Sequence, residues 1–119
     1  MPTILCIDDH APTLQTLRWL FEANGYKCVT TPRGEEGLEL LTGNSIDLIV
    51  LDHILCEGEG AVLAKSLKKI RDIPILMLSG WADLQKPSCV DVLMIKPQDP
   101  KVLLATVLSL LVKYQTAAK

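Results

Sequence analysis

Short apolar runs alternate with longer amphipathic segments along this chain. The runs cover residues 3–7, 26–30, 46–51, 74–78 and 90–95. Apolar runs of this length, bounded by turn-forming residues, are typical of strands that are buried on both faces of a sheet. The pattern therefore predicts five strands.

The amphipathic segments between and after these runs predict helices. The first helix opens at residues 11–13, where Pro12 lies in the first turn, and it ends at Gly25. Apolar residues recur at helical spacing over 34–41, 61–70 and 99–114. Because strands that alternate with helices indicate a parallel sheet covered on both faces, we expect an α/β fold, a doubly wound (βα)5 unit.

Composition and charge narrow the classes of function. The chain has 119 residues and a formal net charge of −2, without a repeat or an apolar stretch of membrane-spanning length. Cys6, Cys28, Cys56 and Cys89 lack zinc-binding spacing, which favours free thiols in a reducing cytosol. We expect one domain over residues 1–119 with no output domain, a cytoplasmic location, and neither nucleic acid nor a membrane as partner.

Charged residues follow three of the predicted strands. Asp8 and Asp9 end the first strand, Asp52 ends the third, and Lys96 ends the fifth. The carboxyl ends of parallel strands lie at one edge of a sheet, so these side chains should converge there. Three carboxylates at close range repel each other unless a divalent cation lies among them, and their hard oxygen ligands favour Mg²⁺.

The same edge has the other groups that phosphoryl transfer needs. The ammonium of Lys96 could pair with a phosphoryl oxygen, and the hydroxyl of Ser79, which ends the fourth strand, could donate to the same group. Asp52 is the candidate nucleophile, because the adjacent Asp8 and Asp9 are better placed to hold the metal. One aspartate at a strand end is often only a turn residue, but all five residues at matching strand ends favour a functional site.

Together these segments resemble the receiver domains of two-component response regulators, over essentially the whole chain. The matching segments are Ile7-Asp8-Asp9, residues 47–52, Glu59-Gly60, residues 74–80 and Lys96-Pro97. The resemblance implies a flavodoxin-like five-stranded sheet of order 2-1-3-4-5, as in chemotaxis regulators. It further implies a phosphoacceptor, not an enzyme with a separate substrate, and with no output domain expected we predict a stand-alone receiver. Such a receiver would accept a phosphoryl group from a histidine kinase or phosphotransfer protein and would signal to a separate output protein.

The resemblance also implies a set of metal ligands. Asp9 would bind Mg²⁺ directly, and Asp8 would bind it largely through water. Asp52 would be both a ligand and the phosphoacceptor. The backbone carbonyl of Ile54 would complete the set that the protein supplies.

Further roles follow from the resemblance for residues near the phosphoryl group. Ser79 would move toward that group on activation, and Lys96 would pair with it. The Lys96–Pro97 peptide bond would be cis, which X-Pro bonds adopt at modest cost. Leu93 stands where the family often has an aromatic switch residue, so the usual coupling of that aromatic to the hydroxyl is not expected in the same form.

Other positions depart from the family pattern. Cys56 occupies the place of a usual proline, and the short interval before Lys96 contains Pro87, so we expect the fourth helix to be shortened, irregular or absent. Ile54 and Trp81 stand where polar residues often assist the attacking water. Because both are apolar, we expect slow autodephosphorylation.

The last predicted helix is apolar on all sides, which suggests a homodimer or partner surface, unless residues 81–89 cover it. On the third predicted helix, basic residues indicate a solvated face. They are Lys65, Lys68, Lys69 and Arg71. His10 and His53 flank the acidic residues and could tune them, although loop positions without a role are the simpler interpretation.

Three alternatives to a phosphoacceptor remain. A phosphorylation-independent interaction module on the same fold is favoured by Leu93 and the short fourth segment, and disfavoured by the intact acidic set. A flavodoxin-like cofactor binder is disfavoured because no phosphate-binding loop follows the first strand. A Mg²⁺-dependent phosphatase would need a second acid–base group near Asp52, and the sequence has none.

Overall fold

The computed structural model describes residues 1–55, 58–81, 84–96 and 99–117, with side chains through residue 115. The strands are β1 (Thr3–Ile7), β2 (Lys27–Thr31), β3 (Leu48–Asp52), β4 (Ile54–Leu55), β5 (Gly58–Glu59), β6 (Ile75–Ser79) and β7 (Val92–Ile95). The helices are α1 (Ala11–Ala23), α2 (Gly34–Gly43), α3 (Gly60–Ile70) and α4 (Pro100–Ala117). The predicted elements are therefore found within a few residues of their expected bounds.

Five parallel strands form the main sheet in the order β2-β1-β3-β6-β7. Counted over the five predicted strands, this order is 2-1-3-4-5, so the predicted doubly wound fold is confirmed. The register pairs Asp52 with Leu78 and Ser79 with Ile95. The carboxyl ends of the three strands β3, β6 and β7 therefore lie side by side.

Alternating residues of the strands build a core on each face of the sheet, because successive side chains of a strand point to opposite faces. Residues of α1 and α4 pack on one face with Ile4 and Cys6 of β1, and residues of α2 and α3 pack on the other with Leu5 and Ile7. Both cores are almost entirely aliphatic, and β1 is buried between them.

Local residues explain where α1 begins and ends. Pro12 lies in its first turn, where a missing amide proton breaks no helical hydrogen bond. Gly25 follows the helix with a φ of 88°, a left-handed conformation that glycine adopts without strain. Its amide donates back to the carbonyl of Glu22, which turns the chain into β2.

Two connections bear on the predictions for the loops. The segment after β3, for which the sequence pattern predicts no strand, contains a two-residue antiparallel ladder that joins Ile54–Leu55 to Gly58–Glu59. Between β6 and β7, the described residues 80, 81 and 84–91 contain no helix, in accord with the predicted loss or shortening of the fourth helix. Cys56 and the predicted cis bond before Pro97 lie outside the described residues.

The last helix has a buried and an exposed apolar face. Leu103, Val107 and Leu110 are buried against the sheet, whereas Val102, Leu108 and Val112 are 52, 56 and 53% exposed. The idea that residues 81–89 cover this helix is wrong for the described part of that segment. Its apolar residues Leu84 and Cys89 pack against the core of α2 and α3, because the short connection returns on that side of the sheet.

A polar cluster joins the two helical layers at the amino ends of β6 and β7. In this Lys68 cluster (Lys68, Asp91 and Tyr114), the lysine Nζ lies 3.1 Å from Asp91 Oδ2 and 2.7 Å from the Tyr114 hydroxyl. The tyrosine donates in turn to Asp91 Oδ1 at 2.6 Å. The prediction that Lys68 belongs to a solvated face is therefore wrong, since its long stem carries the ammonium past the sheet edge to these partners.

No helix in the described part of the chain combines the length and the apolar character that crossing a membrane requires.

Candidate functional site

Three carboxylates converge at the carboxyl edge of the sheet, as the strand ends predict. Asp8 and Asp9 follow β1, and Asp52 is the last residue of the neighbouring β3. One carboxylate oxygen from each lies within 4.8 Å of the other two. We call these three residues the acidic cluster.

Lys96, directly after β7, supplies a positive charge to the acidic cluster. Its Nζ lies 3.1 Å from Asp8 Oδ2 and 3.0 Å from Asp52 Oδ1, so it bridges two of the three carboxylates. Its backbone amide donates to the carbonyl of Ser79 at 2.6 Å, which continues the ladder between β6 and β7 past the end of the strand. One ammonium against three carboxylates leaves an excess of negative charge.

The excess charge changes how these groups ionise. Burial raises the pKa of Asp52, and the neighbouring carboxylates of Asp8 and Asp9 raise it further, against a partial lowering by Lys96. Burial alone would lower the pKa of Lys96, but its hydrogen bonds to Asp52 and Asp8 more than offset this and the pKa is raised. An added cation would therefore be stabilised at this edge.

The backbone fixes the orientation of the acidic cluster. Oδ1 of the buried Asp8 accepts the backbone amide of His10 at 2.9 Å, which leaves Oδ2 for Lys96. On the other side, α3 begins so close to β3 that a Cβ on Gly60 would overlap the carbonyl oxygen of Asp52. Gly60 also donates its amide to the carbonyl of His53 at 2.7 Å. Only glycine permits this approach, which explains the Glu59-Gly60 motif in the sequence.

The donor set fits a hard divalent cation. Carboxylate oxygens are the ligands that Mg²⁺ prefers, and one or two of them leave positions for water or phosphate oxygens. Asp9 is exposed and Asp52 is half-buried, so the cluster opens to solvent on one side. The carbonyl of Ile54 as a further ligand stays a prediction.

Ser79 lies at the same edge, but its hydrogen-bond partners are outside the acidic cluster. Its hydroxyl is fully buried, lies 3.2 Å from Nδ1 of His53, and accepts the backbone amide of Trp81 at 2.9 Å. His53 is therefore buried and hydrogen-bonded to Ser79, while a role for it in tuning the acidic cluster stays a prediction. The alternation of strand residues could have predicted the burial of His53, since extending β3 by one residue places His53 on the same buried face as Leu51.

Comparison with known proteins identifies the class to which this fold and site belong. The family model of the response regulator receiver domain matches residues 4–107. The chain therefore belongs to the response regulator receiver domain family, whose members are signalling domains of two-component systems.

Solved structures support the same class. A receiver domain (CheY-like) from Methanospirillum hungatei JF-1 superposes with a TM-score of 0.92 over 98% of both chains, at 24% identity, and so shows the fold. The receiver domain of Francisella response regulator 1452 has a TM-score of 0.86 and 29% identity, over 96% of this chain and 99% of that one.

Curated relatives are longer than this chain. The probable transcriptional regulator ycf27 of Cyanidium caldarium is 34% identical over 118 residues, which are 95% of this chain and 47% of the relative. The response regulator SaeR of Staphylococcus aureus is 36% identical over 81 residues, which are 67% of this chain and 35% of that protein. The chain thus spans about half the length, or less, of the curated relatives that it matches.

Proposed function

We propose that this receiver domain accepts a phosphoryl group on Asp52 from a histidine kinase or a phosphotransfer protein. The observation that carries the proposal is the position of Asp52 between two further carboxylates and Lys96. An oxygen of Asp52 attacks the phosphorus of the donor, and the bond from phosphorus to the donor nitrogen breaks. The product is an acyl phosphate on Asp52, and the donor histidine is regenerated.

Asp8, Asp9 and Asp52 hold Mg²⁺ in this proposal, with the carbonyl of Ile54 as a fourth protein ligand. Bound Mg²⁺ offsets the charge of the attacking carboxylate and of the phosphoryl oxygens. Lys96, which already lies 3.0 Å from Asp52 Oδ1, pairs with the phosphoryl group once it is attached. Burial, and then the neighbouring carboxylates of Asp8 and Asp9, raise the pKa of Asp52, and a bound cation would favour the ionised carboxylate again.

Intact mass spectrometry tests the proposal. After incubation with Mg²⁺ and acetyl phosphate, we expect the mass of one phosphoryl group to be added, and we expect Asp52→Asn to abolish the addition. Asp47→Asn is the matched control, because it neutralises an exposed carboxylate just before the same strand, β3. No adduct despite Mg²⁺ binding that requires Asp9 would instead favour the phosphorylation-independent interaction module.

The lifetime of the acyl phosphate follows from two apolar positions. Ile54 and Trp81 are 43 and 60% exposed and stand two residues after Asp52 and Ser79, respectively. Neither side chain has a hydrogen-bond acceptor that could take a proton from an attacking water, so we expect slow hydrolysis. Ile54→Asn should shorten the lifetime of the adduct measured by mass, and a half-life of seconds in the unsubstituted chain would contradict the idea.

Signalling by protein contacts requires a surface to which a partner binds. The exposed apolar face of α4 (Val102, Leu108 and Val112) is the candidate for homodimerisation or for a separate output protein. If it forms a dimer, Leu108→Lys should convert that dimer to monomer in sedimentation velocity, whereas Lys101→Glu, beside this face, should not. Action as a stand-alone domain stays a prediction.

A further inference from the structure

Ser79, His53 and Trp81 form a connected path from the phosphoryl site to the surface. The Ser79 hydroxyl meets His53 Nδ1 at 3.2 Å, and the His53 ring meets the Trp81 indole edge to face, with centroids 4.9 Å apart and planes at 79°. Ser79 and His53 are buried, whereas Trp81 is largely exposed. We call these three residues the serine–histidine–tryptophan path.

The hydroxyl of Ser79 can donate only one hydrogen bond. A hydroxyl has one proton and two lone pairs. The backbone amide of Trp81 occupies a lone pair of Ser79, and in the His53 tautomer that carries its proton on Nε2, Nδ1 accepts the proton of the hydroxyl. A phosphoryl oxygen on Asp52 accepts hydrogen bonds but donates none, so it competes with His53 for the same proton.

Transfer of that hydrogen bond has a consequence for His53. The backbone of His53 is fixed on both sides, since its amide donates to Leu78 at 2.9 Å and its carbonyl accepts from Gly60 at 2.7 Å. Only the ring can respond when Ser79 turns away, because a buried polar atom without a partner is unfavourable. The ring lies against the Trp81 indole, so its reorientation changes the surroundings of an exposed side chain.

We propose that His53 is a positioning residue that keeps the Ser79 hydroxyl hydrogen-bonded to its ring until Asp52 is phosphorylated. The hydroxyl then turns to the phosphoryl group. Release of the His53 ring then moves the indole of Trp81, so the conformation of an exposed side chain depends on whether Asp52 is phosphorylated. The inference rests on the proposed function of Asp52. It assigns to Trp81 the signalling role that Leu93 cannot perform, since the leucine side chain has no polar group and is partly buried against the core of α2 and α3.

Tryptophan fluorescence tests the path. The chain has two tryptophans, so Trp19→Phe on α1 leaves Trp81 as the only tryptophan that reports. Mg²⁺ is added first and acetyl phosphate second, while adduct formation is followed by intact mass. We expect the emission of Trp81 to change with the second addition, at the rate at which the adduct forms.

Variants of His53 separate a positioning role from a merely structural one. In the Trp19→Phe background, His53→Phe keeps a ring against Trp81 but removes the nitrogen, so the adduct should form without the change in emission. His53→Asn restores an acceptor near the place of Nδ1 and should restore the change. An equal emission change in His53→Phe, or a fully phosphorylated parent with unchanged emission, would overturn the inference.

NMR of the unsubstituted chain gives a second measurement that needs no change in the core. The indole proton resonance of Trp81, assigned with Trp19→Phe, should shift on phosphorylation, while that of Trp19 should not. Equal shifts of both, or none, in a phosphorylated sample would overturn the path. Absence of any adduct would instead overturn the proposed function itself, so the two failures are distinguishable.

Discussion

Two clusters at opposite ends of the sheet contain the same kind of ion pair. At the carboxyl end, Lys96 lies 3.0 Å from Asp52 in the acidic cluster. At the amino end, Lys68 lies 3.1 Å from Asp91 in the Lys68 cluster. The two distances are nearly equal, yet the carboxylates differ in the sign of their pKa shifts.

The number of donors around each carboxylate explains the difference. Burial alone would raise the pKa of Asp91, but hydrogen bonds from Tyr114, the amide of Ile75 and Lys68 more than offset burial, and the pKa is lowered. Burial also raises the pKa of Asp52, but there the hydrogen bond from Lys96 does not offset burial and the two like charges beside it, so the pKa stays raised. Among the described residues, Asp91 is paired with Lys68 and accepts further hydrogen bonds from Tyr114 and Ile75, whereas in the acidic cluster one ammonium, that of Lys96, faces three carboxylates, a charge that a bound cation would offset.

The largest expected effect is on stability at the amino end. Asp91→Ala should lower the free energy of unfolding by about 2–3 kcal/mol, because it removes the partly buried charge partner of Lys68 and leaves the amide of Ile75 without its acceptor. Urea denaturation measures this. Asp72→Ala is the matched control, since Asp72 pairs with the same lysine at 3.4 Å but is 85% exposed. Asp72→Ala should lower the free energy of unfolding by less than about 0.5 kcal/mol. Equal decreases for the two variants would contradict the inference that Asp91 is the main partner of Lys68.

The tyrosine hydroxyl accounts for part of that stability. Tyr114→Phe removes the group that accepts from Lys68 and donates to Asp91, so we expect a loss of about 1.5 kcal/mol in the same denaturation experiment. Tyr26→Phe is the control, because the hydroxyl of Tyr26 has no hydrogen-bond partner among the described residues. A loss no larger than that of the control would mean that the ion pair alone maintains the cluster.

How far the sequence predicts each cluster depends on where its residues lie. Asp8, Asp52 and Lys96 each end a strand, and parallel strands bring such ends together, so the carboxyl edge could be predicted. Lys68 and Tyr114 lie in the later turns of two helices on opposite faces of the sheet. Their meeting depends on helix rotation and side-chain reach, which no local pattern encodes.

The contact of His53 with Ser79 and the short ladder after β3 could not be predicted from a local sequence pattern either. The hydrogen bond between Ser79 and His53 depends on the rotamers of two buried side chains, which strand order alone does not specify. The ladder that joins Ile54–Leu55 to Gly58–Glu59 is too short to give an alternating pattern. By contrast, Pro87 and the short interval around it were sufficient to predict a shortened, irregular or absent fourth helix, in accord with the described residues 80, 81 and 84–91, because a proline directly opposes helical hydrogen bonding.

At the carboxyl end, neutralising an aspartate should have the opposite effect on stability. In the absence of divalent metal, Asp52→Asn should raise the free energy of unfolding by about 0.5–1 kcal/mol, because it removes one of three mutually repelling carboxylates. Asp91→Asn, measured beside it, should lower the same quantity. A decrease for Asp52→Asn as large as that for Asp91→Asn would mean that the two clusters do not differ.

The smallest effect is the pH dependence, and its sign differs between the two aspartates. The pKa of Asp91 is lowered, so its stabilising contribution is present above the ordinary aspartate pKa of about 3.9 and is lost as the pH falls toward the folded value. The pKa of Asp52 is raised, so its contribution is present below about 3.9 and is lost as the pH rises through the folded value. Carboxyl carbon NMR titration of metal-free protein should therefore place Asp52 above and Asp91 below the ordinary value. Stability curves of Asp52→Asn and Asp91→Asn should then deviate from that of the parent in opposite directions as the pH falls, and parallel deviations would mean that the donors around Asp91 do not outweigh its burial.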